Sequence, residues 1–120
     1  MKYRTLALLA LAACTALSAY AHTPLAKSSP ADGGSVAAPL DALVLEFGAD
    51  VRLTALSLVD SAGAKKTLDA VPTAIAAKFT VAVREPLAPG DYVATWRAVG
   101  GDTHIISGAI RFTVAAAHSH

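Results

Sequence analysis

Two side chains that can bind a metal lie close together in the stretch GGDTHIISG, residues 100–108. Asp102 and His104 are two positions apart, so in an extended segment both side chains point to the same side. A carboxylate and an imidazole can then converge on one ion without a bend in the backbone. An Asp-x-His pair is common, so it indicates a metal site only if further ligands come from elsewhere. A solvated surface turn is the alternative.

A third candidate ligand, His22, depends on proteolysis near the start of the chain. The basic segment MKYR is followed by apolar residues 5–17 and by the small-residue cleavage pattern Ala19-Tyr20-Ala21. This order predicts a secretory signal peptide over residues 1–21, which makes His22 the first residue of the processed chain. Its α-amine and ring Nδ1 then close a six-membered chelate, and both lose their protons easily near neutral pH.

A second cleavage pattern overlaps the first. Leu11-Ala12-Ala13-Cys14 matches the sequence after which bacterial lipoproteins are cut and lipidated on cysteine. That cut would leave His22 inside the chain without a free amine. It would also leave the A-x-A site unused, so cleavage before His22 is preferred and the lipid anchor stays open as the alternative. The apolar run is too short to span a bilayer, and no stable membrane insertion is expected.

The set of His22, Asp102 and His104 offers three nitrogen ligands and one oxygen ligand. A tetragonal arrangement of these atoms suits Cu(II), which heads the divalent affinity order. Zinc prefers a tetrahedron. Cu(I) prefers sulfur, but the only cysteine and the only methionine of the chain, Cys14 and Met1, leave with the signal peptide. The sequence therefore predicts one Cu(II) ion per chain.

The remaining histidines and the net charge limit which further ligands and partners can be expected. His118 and His120 lie in residues 115–120, a segment expected to be frayed, so ordering them as primary ligands would cost chain entropy. Loss of Lys2 and Arg4 reduces the ten basic residues to eight, against nine acidic ones. The processed chain therefore has no basic patch that would suggest nucleic acid or an anionic membrane as a partner.

Residues 22–120 are predicted to form one all-β domain that brings these ligands together. Short runs of β-branched or alternating residues are separated by turn signals rich in Gly, Pro and Asp. The predicted strands are Thr23–Lys27, Ala42–Phe47, Leu53–Val59, Lys65–Leu68, Ala76–Val83, Asp91–Ala98 and Ser107–Val114. Seven such strands favour a Greek-key β-sandwich, with a small closed barrel as the alternative. Trp96 is expected to be a core anchor.

Three pieces of the chain together resemble the CopC family of periplasmic copper-binding proteins, which includes YobA-like members. The first is AHTPLAKSSPADGGSV, residues 21–36, a histidine after the signal peptide followed by an S-x-P-A-D-G turn. The second is LVLEF, residues 43–47. The third and most specific is PGDYVATWRAVGGDTHIISGAIRFTV, residues 89–114, which is similar to the family's closing region.

The resemblance implies a cupredoxin-like or immunoglobulin-like β-sandwich with a Cu(II) site made by His22, Asp102 and His104. Two departures bear on the site. The family motif D-G-H-P reads Asp102-Thr103-His104-Ile105 here, and Thr103 lacks the freedom of glycine at positive φ. We therefore expect the loop to hold its two ligands at a slightly different angle. Some members carry a methionine-rich segment for Cu(I), which residues 22–120 lack.

The function expected from these observations is a monomeric, non-enzymatic Cu(II) binder of the periplasm. It would sequester copper, or pass it to an inner-membrane importer of the CopD type, which the resemblance suggests as a partner. One alternative is an immunoglobulin-like structural or interaction module, lipid-anchored at Cys14. A further alternative is a copper monooxygenase, because an amine-plus-imidazole chelate is also the copper site of polysaccharide monooxygenases.

Overall fold

The described part of the protein, residues 25–116 of a computed structural model, is built from β-strands. No helix among these residues is long and apolar enough to cross a membrane. The strands are β1 (Leu25–Ser29), β2 (Gly34–Ala37), β3 (Ala42–Asp60), β4 (Ile75–Ala82), β5 (Gly90–Gly100) and β6 (Ile105–Ala115). The all-β prediction is confirmed.

Strand β3 organises the sheet because it pairs with different neighbours along its 19 residues. Its first part, residues 42–46, lies between β1 and β4, and its second part, residues 51–60, pairs with β5. The pairing register with β4 shifts between Glu46 and Val51. The hydrogen-bonded order β1-β3-β5-β6-β2, with β4 also against β3, gives one curled, sandwich-like sheet. A break in pairing of this kind lets a strand bend and change partners.

The strand count differs from the seven predicted. The segments Ala42–Phe47 and Leu53–Val59 are one continuous strand. Lys65–Leu68 makes only isolated bridges, from Lys65 to Val59 and from Leu68 to Val83. Gly34–Ala37, which the sequence did not indicate, pairs in parallel with the end of β6.

The core lies where the inward faces of these strands meet. Alternation along β4 and β5 buries Phe79, Val81, Tyr92, Ala94 and Trp96, as period-two patterning requires. Trp96 is only 3% exposed, and its ring centroid lies 5.2 Å from that of Phe47 at an interplanar angle of 80°. Such an edge-to-face pair adds to the stabilisation from burial. The prediction that Trp96 is a core anchor is confirmed.

The turn before β2 is fastened to β6. An Oδ1 atom of Asp32 accepts the backbone N–H of Arg111 at 2.9 Å, and the N–H of Gly33 donates to the Arg111 carbonyl at 2.6 Å. Gly33 has a φ of 80°, which glycine adopts without steric cost. The S-x-P-A-D-G turn therefore docks β2 onto the edge of β6.

Strands β5 and β6 form the hairpin that carries the Asp-x-His motif. They pair from Gly90 with Val114 to Val99 with Ile105, so the motif occupies the turn at the end of a long ladder. Ala115, expected to be frayed, instead ends β6 and pairs with Ala37 of β2. Residues 117–120 lie outside the described residues.

Candidate metal centre

The turn between β5 and β6 has a defined hydrogen-bond pattern. The N–H of Thr103 donates to the Gly100 carbonyl at 2.9 Å, and the N–H of Gly100 donates to the His104 carbonyl at 3.0 Å. Together with a positive φ at Thr103, these bonds define a three-residue hairpin loop with a β-bulge. The ladder on both sides fixes where the loop begins and ends, so the two candidate ligands occupy fixed positions in it.

Thr103 has a φ of 66°, a left-handed conformation that β-branched residues rarely adopt. In the D-G-H-P motif that this loop resembles, the position is glycine, which adopts the conformation freely. For an ordinary L-residue the left-handed conformation costs about 1–2 kcal/mol. The threonine therefore keeps the loop shape that a glycine would favour, at the expense of local strain.

Asp102 and His104 contact each other directly through two hydrogen bonds. His104 donates its backbone N–H to Oδ1 of Asp102 at 3.1 Å, and His104 Nδ1 lies 2.7 Å from Asp102 Oδ2. The bond to the His104 ring is the main cause that lowers the pKa of Asp102 below its ordinary value, and the bond to the His104 backbone is the second. The carboxylate is therefore ionised at neutral pH, as a metal ligand must be.

Both candidate ligands are open to solvent. The side chain of His104 is 80% exposed and that of Asp102 is 69% exposed. They line an open cleft of about 710 Å³ between the β5–β6 turn and the bend of β3. The walls of this cleft are formed by Phe47, Gly48, Ala49, Asp50, Val51, Gly100, Gly101, Asp102, His104, Ile105 and Ile106. An ion or a partner can reach the pair from solvent.

The structure describes only part of the predicted ligand set. Asp102 and His104 lie together on one loop, whereas His22, His118 and His120 lie outside residues 25–116. Within that described range, no three His, Cys, Asp or Glu side chains converge in a group that could hold a metal. Two of the three predicted ligands, Asp102 and His104, are therefore in contact on one loop, and the third, His22, lies outside the described residues.

The opposite wall of the cleft is a feature that the sequence analysis missed. It consists of Gly48–Val51, where β3 leaves β1 and passes to β5. The exposed sequence Gly48-Ala49-Asp50, which interrupts the apolar alternation of β3, was a signal for a bend. Nothing in the sequence alone, however, indicated that this bend faces the Asp-x-His turn, because the two are brought together by pairing between distant strands.

The fold and the site define a small all-β protein with a carboxylate–imidazole pair at the tip of a hairpin. The sequence profile of the CopC domain matches residues 25–115, nearly the whole of the described range. The chain belongs to the CopC family, as the motifs had suggested.

Relatives with known names agree with this assignment. The chain is 32% identical over 119 residues to copper resistance protein C of Xanthomonas campestris pv. juglandis, covering 92% of this chain and 93% of that protein. It is 36% identical over 115 residues to copper resistance protein C of Escherichia coli, covering 82% and 86% respectively. Both similarities extend over most of each protein.

Solved structures give the same picture. The crystal structure of CopC from Methylosinus trichosporium OB3b has a TM-score of 0.70 at 28% identity, covering 82% of this chain and 99% of that one. PcoC from Escherichia coli, a methionine-rich copper resistance protein, has a TM-score of 0.63 at 33% identity, covering 78% and 99%. This chain, by contrast, contains a single methionine, Met1.

Proposed function

We propose that this protein is a non-enzymatic Cu(II)-binding protein of the periplasm that acts in copper resistance and homeostasis. One Cu(II) ion would be held by the α-amine and ring of His22, the carboxylate of Asp102 and the imidazole of His104. Membership of a family whose named relatives are copper resistance proteins supports copper as the cargo. The chemistry of the ligands supports the cupric state, because they supply nitrogen and oxygen and no sulfur.

The observation that carries this proposal is the position of β1 relative to the cleft. Leu25, the first residue of β1, pairs with Phe47, which lines the same cleft as Asp102 and His104. Because β1 is antiparallel to β3, the chain enters β1 from the side of the β3 bend. The three residues from His22 to Leu25 reach at most about 10 Å. This reach favours a site shared between the start of the processed chain and the hairpin turn.

The exposure of the pair supports a role in carrying copper. An ion bound by side chains that are 69% and 80% exposed in the metal-free protein remains open to incoming ligands. We infer that copper bound here can be released to a partner such as an inner-membrane importer of the CopD type, or simply held out of circulation. The protein would act as a monomer, since all its proposed ligands come from one chain.

Cu(II) titration of the processed protein tests the proposed ligand set. His22→Ala and a variant with one alanine inserted before His22 are both expected to weaken Cu(II) binding by more than about 100-fold, which is about 2.7 kcal/mol. The insertion keeps the imidazole but moves the α-amine, so it isolates the contribution of the chelate. The double variant His118→Ala/His120→Ala is the matched control and is expected to bind as tightly as the natural protein.

The processing step needs its own measurement. Mass spectrometry of the exported protein is expected to give a chain that begins at His22. A diacylated Cys14 at the start of the chain, or an unchanged affinity in either His22 variant, would contradict the proposed site.

A further inference from the structure

Both oxygens of the Asp102 carboxylate are engaged by a single residue, His104. Oδ1 accepts the backbone N–H, and Oδ2 lies 2.7 Å from the ring Nδ1. An ionised carboxylate can only accept hydrogen bonds. The Nδ1 atom must therefore carry a proton, and in the neutral ring the other nitrogen, Nε2, keeps its lone pair free.

The same carboxylate bridges the turn that contains the disfavoured conformation of Thr103. Its bond to the His104 N–H spans Thr103, and the Thr103 hydroxyl donates to the Asp102 carbonyl. A disfavoured φ/ψ region persists only where the surrounding contacts determine it. The Asp102 side chain supplies such contacts at the centre of the loop.

Gly100 gives the carboxylate room to fold back over the turn. A Cβ atom built at Gly100 would lie 3.3 Å from Asp102 Oδ1, closer than most such contacts. The side chain of Asp102 thus packs over the backbone of the turn as well as toward the cleft.

We propose that Asp102 is a positioning residue for His104, fixing the ring in the Nδ1–H tautomer and bracing the left-handed turn at Thr103. The imidazole then presents its unprotonated Nε2 atom outward before any ion arrives. The assignment of Nε2 as the atom that meets copper rests on the proposed function, in which the Asp102 carboxylate leaves Nδ1 to bind the same ion. The tautomer and the bracing belong to the metal-free protein. Orientation of a histidine by a carboxylate on its other nitrogen is a general means of tuning a metal ligand.

The tautomer is tested by nitrogen NMR of the histidine ring in the metal-free protein at about pH 8.5, where imidazole is neutral. We expect the Nδ1–H form of His104 to be the majority in the natural protein. In Asp102→Asn the new amide can donate to Nδ1, so the Nε2–H form is expected to become the majority. Asp50→Asn, a matched loss of charge on the opposite wall of the cleft, is expected to leave the ring unchanged. Equal tautomer populations in the natural protein and Asp102→Asn, or an equal change in Asp50→Asn, would overturn the assignment.

The bracing of the turn is tested by amide hydrogen exchange at Gly100 and Thr103, whose N–H groups close the loop. Asp102→Ala is expected to raise both exchange rates by more than tenfold. In a Thr103→Gly background, where the turn needs no brace, the same substitution is expected to have a much smaller effect. Equal effects of Asp102→Ala in both backgrounds would show that the carboxylate does not brace the turn.

Copper binding separates this inference from the proposed function. Asp102→Asn is expected to lower Cu(II) affinity by at least about tenfold, because it removes both a proposed ligand and the group that orients His104. If His104→Ala bound Cu(II) as tightly as the natural protein, the proposed copper site would be wrong. The NMR and exchange results, obtained without metal, would still decide the role of Asp102.

Discussion

Thr103 is the only residue other than glycine with a positive φ among residues 25–116. Its strain lies between the two candidate ligands, at a position where the hairpin loop favours glycine. The comparison with the D-G-H-P motif pointed to this position, where it predicted a slightly different angle between the two ligands. The backbone adds that Thr103 keeps a positive φ, so the departure from the motif is also a point of local strain.

Thr103→Gly is expected to raise the free energy of unfolding by about 1 kcal/mol, because the relief of left-handed strain exceeds the added entropy of the unfolded chain. Urea denaturation measures the change. Thr95→Gly is the matched control, since Thr95 is an exposed threonine inside β5. There the same substitution is expected to lower stability by about 0.5–1 kcal/mol. A loss of stability in both variants would show that Thr103 is not strained.

Gly108 is required by the ring of Trp96. A Cβ atom at this position would lie 2.7 Å from Trp96 Cζ2 and 3.0 Å from Trp96 Nε1, which is buried without a hydrogen-bond partner. Gly108→Ala is therefore expected to lower the free energy of unfolding by about 1–3 kcal/mol through overpacking. Unfolding followed by the fluorescence of Trp96, the single tryptophan of the chain, reports the change.

Gly101→Ala provides the comparison for Gly108→Ala. A Cβ atom at Gly101 would meet nothing within 4 Å, so little change in stability is expected. Equal stability of the two variants would mean that the Trp96 ring can move aside.

At the scale of the elements, local patterns predicted the hairpin strands well and β2 and β3 poorly. The alternation Tyr92, Ala94, Trp96 marks β5 because one face of that strand is buried. Strand β3 was divided into two because its central residues, Gly48–Asp50, are exposed where the strand changes partners. Strand β2 has glycine-rich turn signals at its start, and its pairing with β6 depends on residues far away in sequence. Such partners leave no local signal.

The turn that follows β3 makes stability depend on pH. Oδ1 of Asp60 accepts the N–H groups of Ala62 and Ala64, each at 2.9 Å, and Oδ2 lies 3.3 Å from Lys66 Nζ. The bond from Ala64 is the main cause that lowers the pKa of Asp60 below its ordinary value of 3.8. The charged carboxylate therefore stabilises the folded protein above this value, and that contribution is lost as the pH falls through the lowered pKa.

Acid unfolding tests this contribution. Between about pH 5 and pH 2 the natural protein is expected to lose more stability than Asp60→Asn, which keeps an acceptor oxygen but has no proton to gain. Unfolding free energies from urea titrations at several pH values give the comparison. Parallel pH profiles of the two proteins would show that Asp60 does not contribute.

At the scale of the whole molecule, β6 leads away from His104, so its far end, Ala115, lies a full strand length from the Asp102–His104 pair. The strand starts at Ile105, beside His104, and runs to Ala115, about 34 Å away at the usual rise per residue. From Ala115 the chain reaches at most about 10 Å to His118 and about 18 Å to His120, well short of that length. The terminal His-Ser-His segment therefore cannot reach the Asp102–His104 pair of the same chain.

Removal of residues 117–120 is accordingly expected to leave the Cu(II) affinity of the proposed site unchanged, within about twofold. Competition titration of the truncated and natural proteins, at several protein concentrations, provides the measurement. A loss of affinity that does not depend on protein concentration would place the tail histidines at the same site, contrary to the geometry of β6.

Only the part of the candidate site that depends on neighbouring residues could be predicted from the sequence, as was also true of the fold. The spacing of Asp102 and His104 is local, and their contact follows from one turn. The cleft that they line depends on the long-range approach of the β3 bend, which no spacing indicates.

The opposed ends of β6 also make the molecule suitable for engineering. A fluorophore, an affinity tag or a solid support joined after Ala116 would stand a full strand length from the hairpin tip, and the cleft would still face the solution. Every copy attached to a sensor surface in this way would present the hairpin tip and the cleft to the sample.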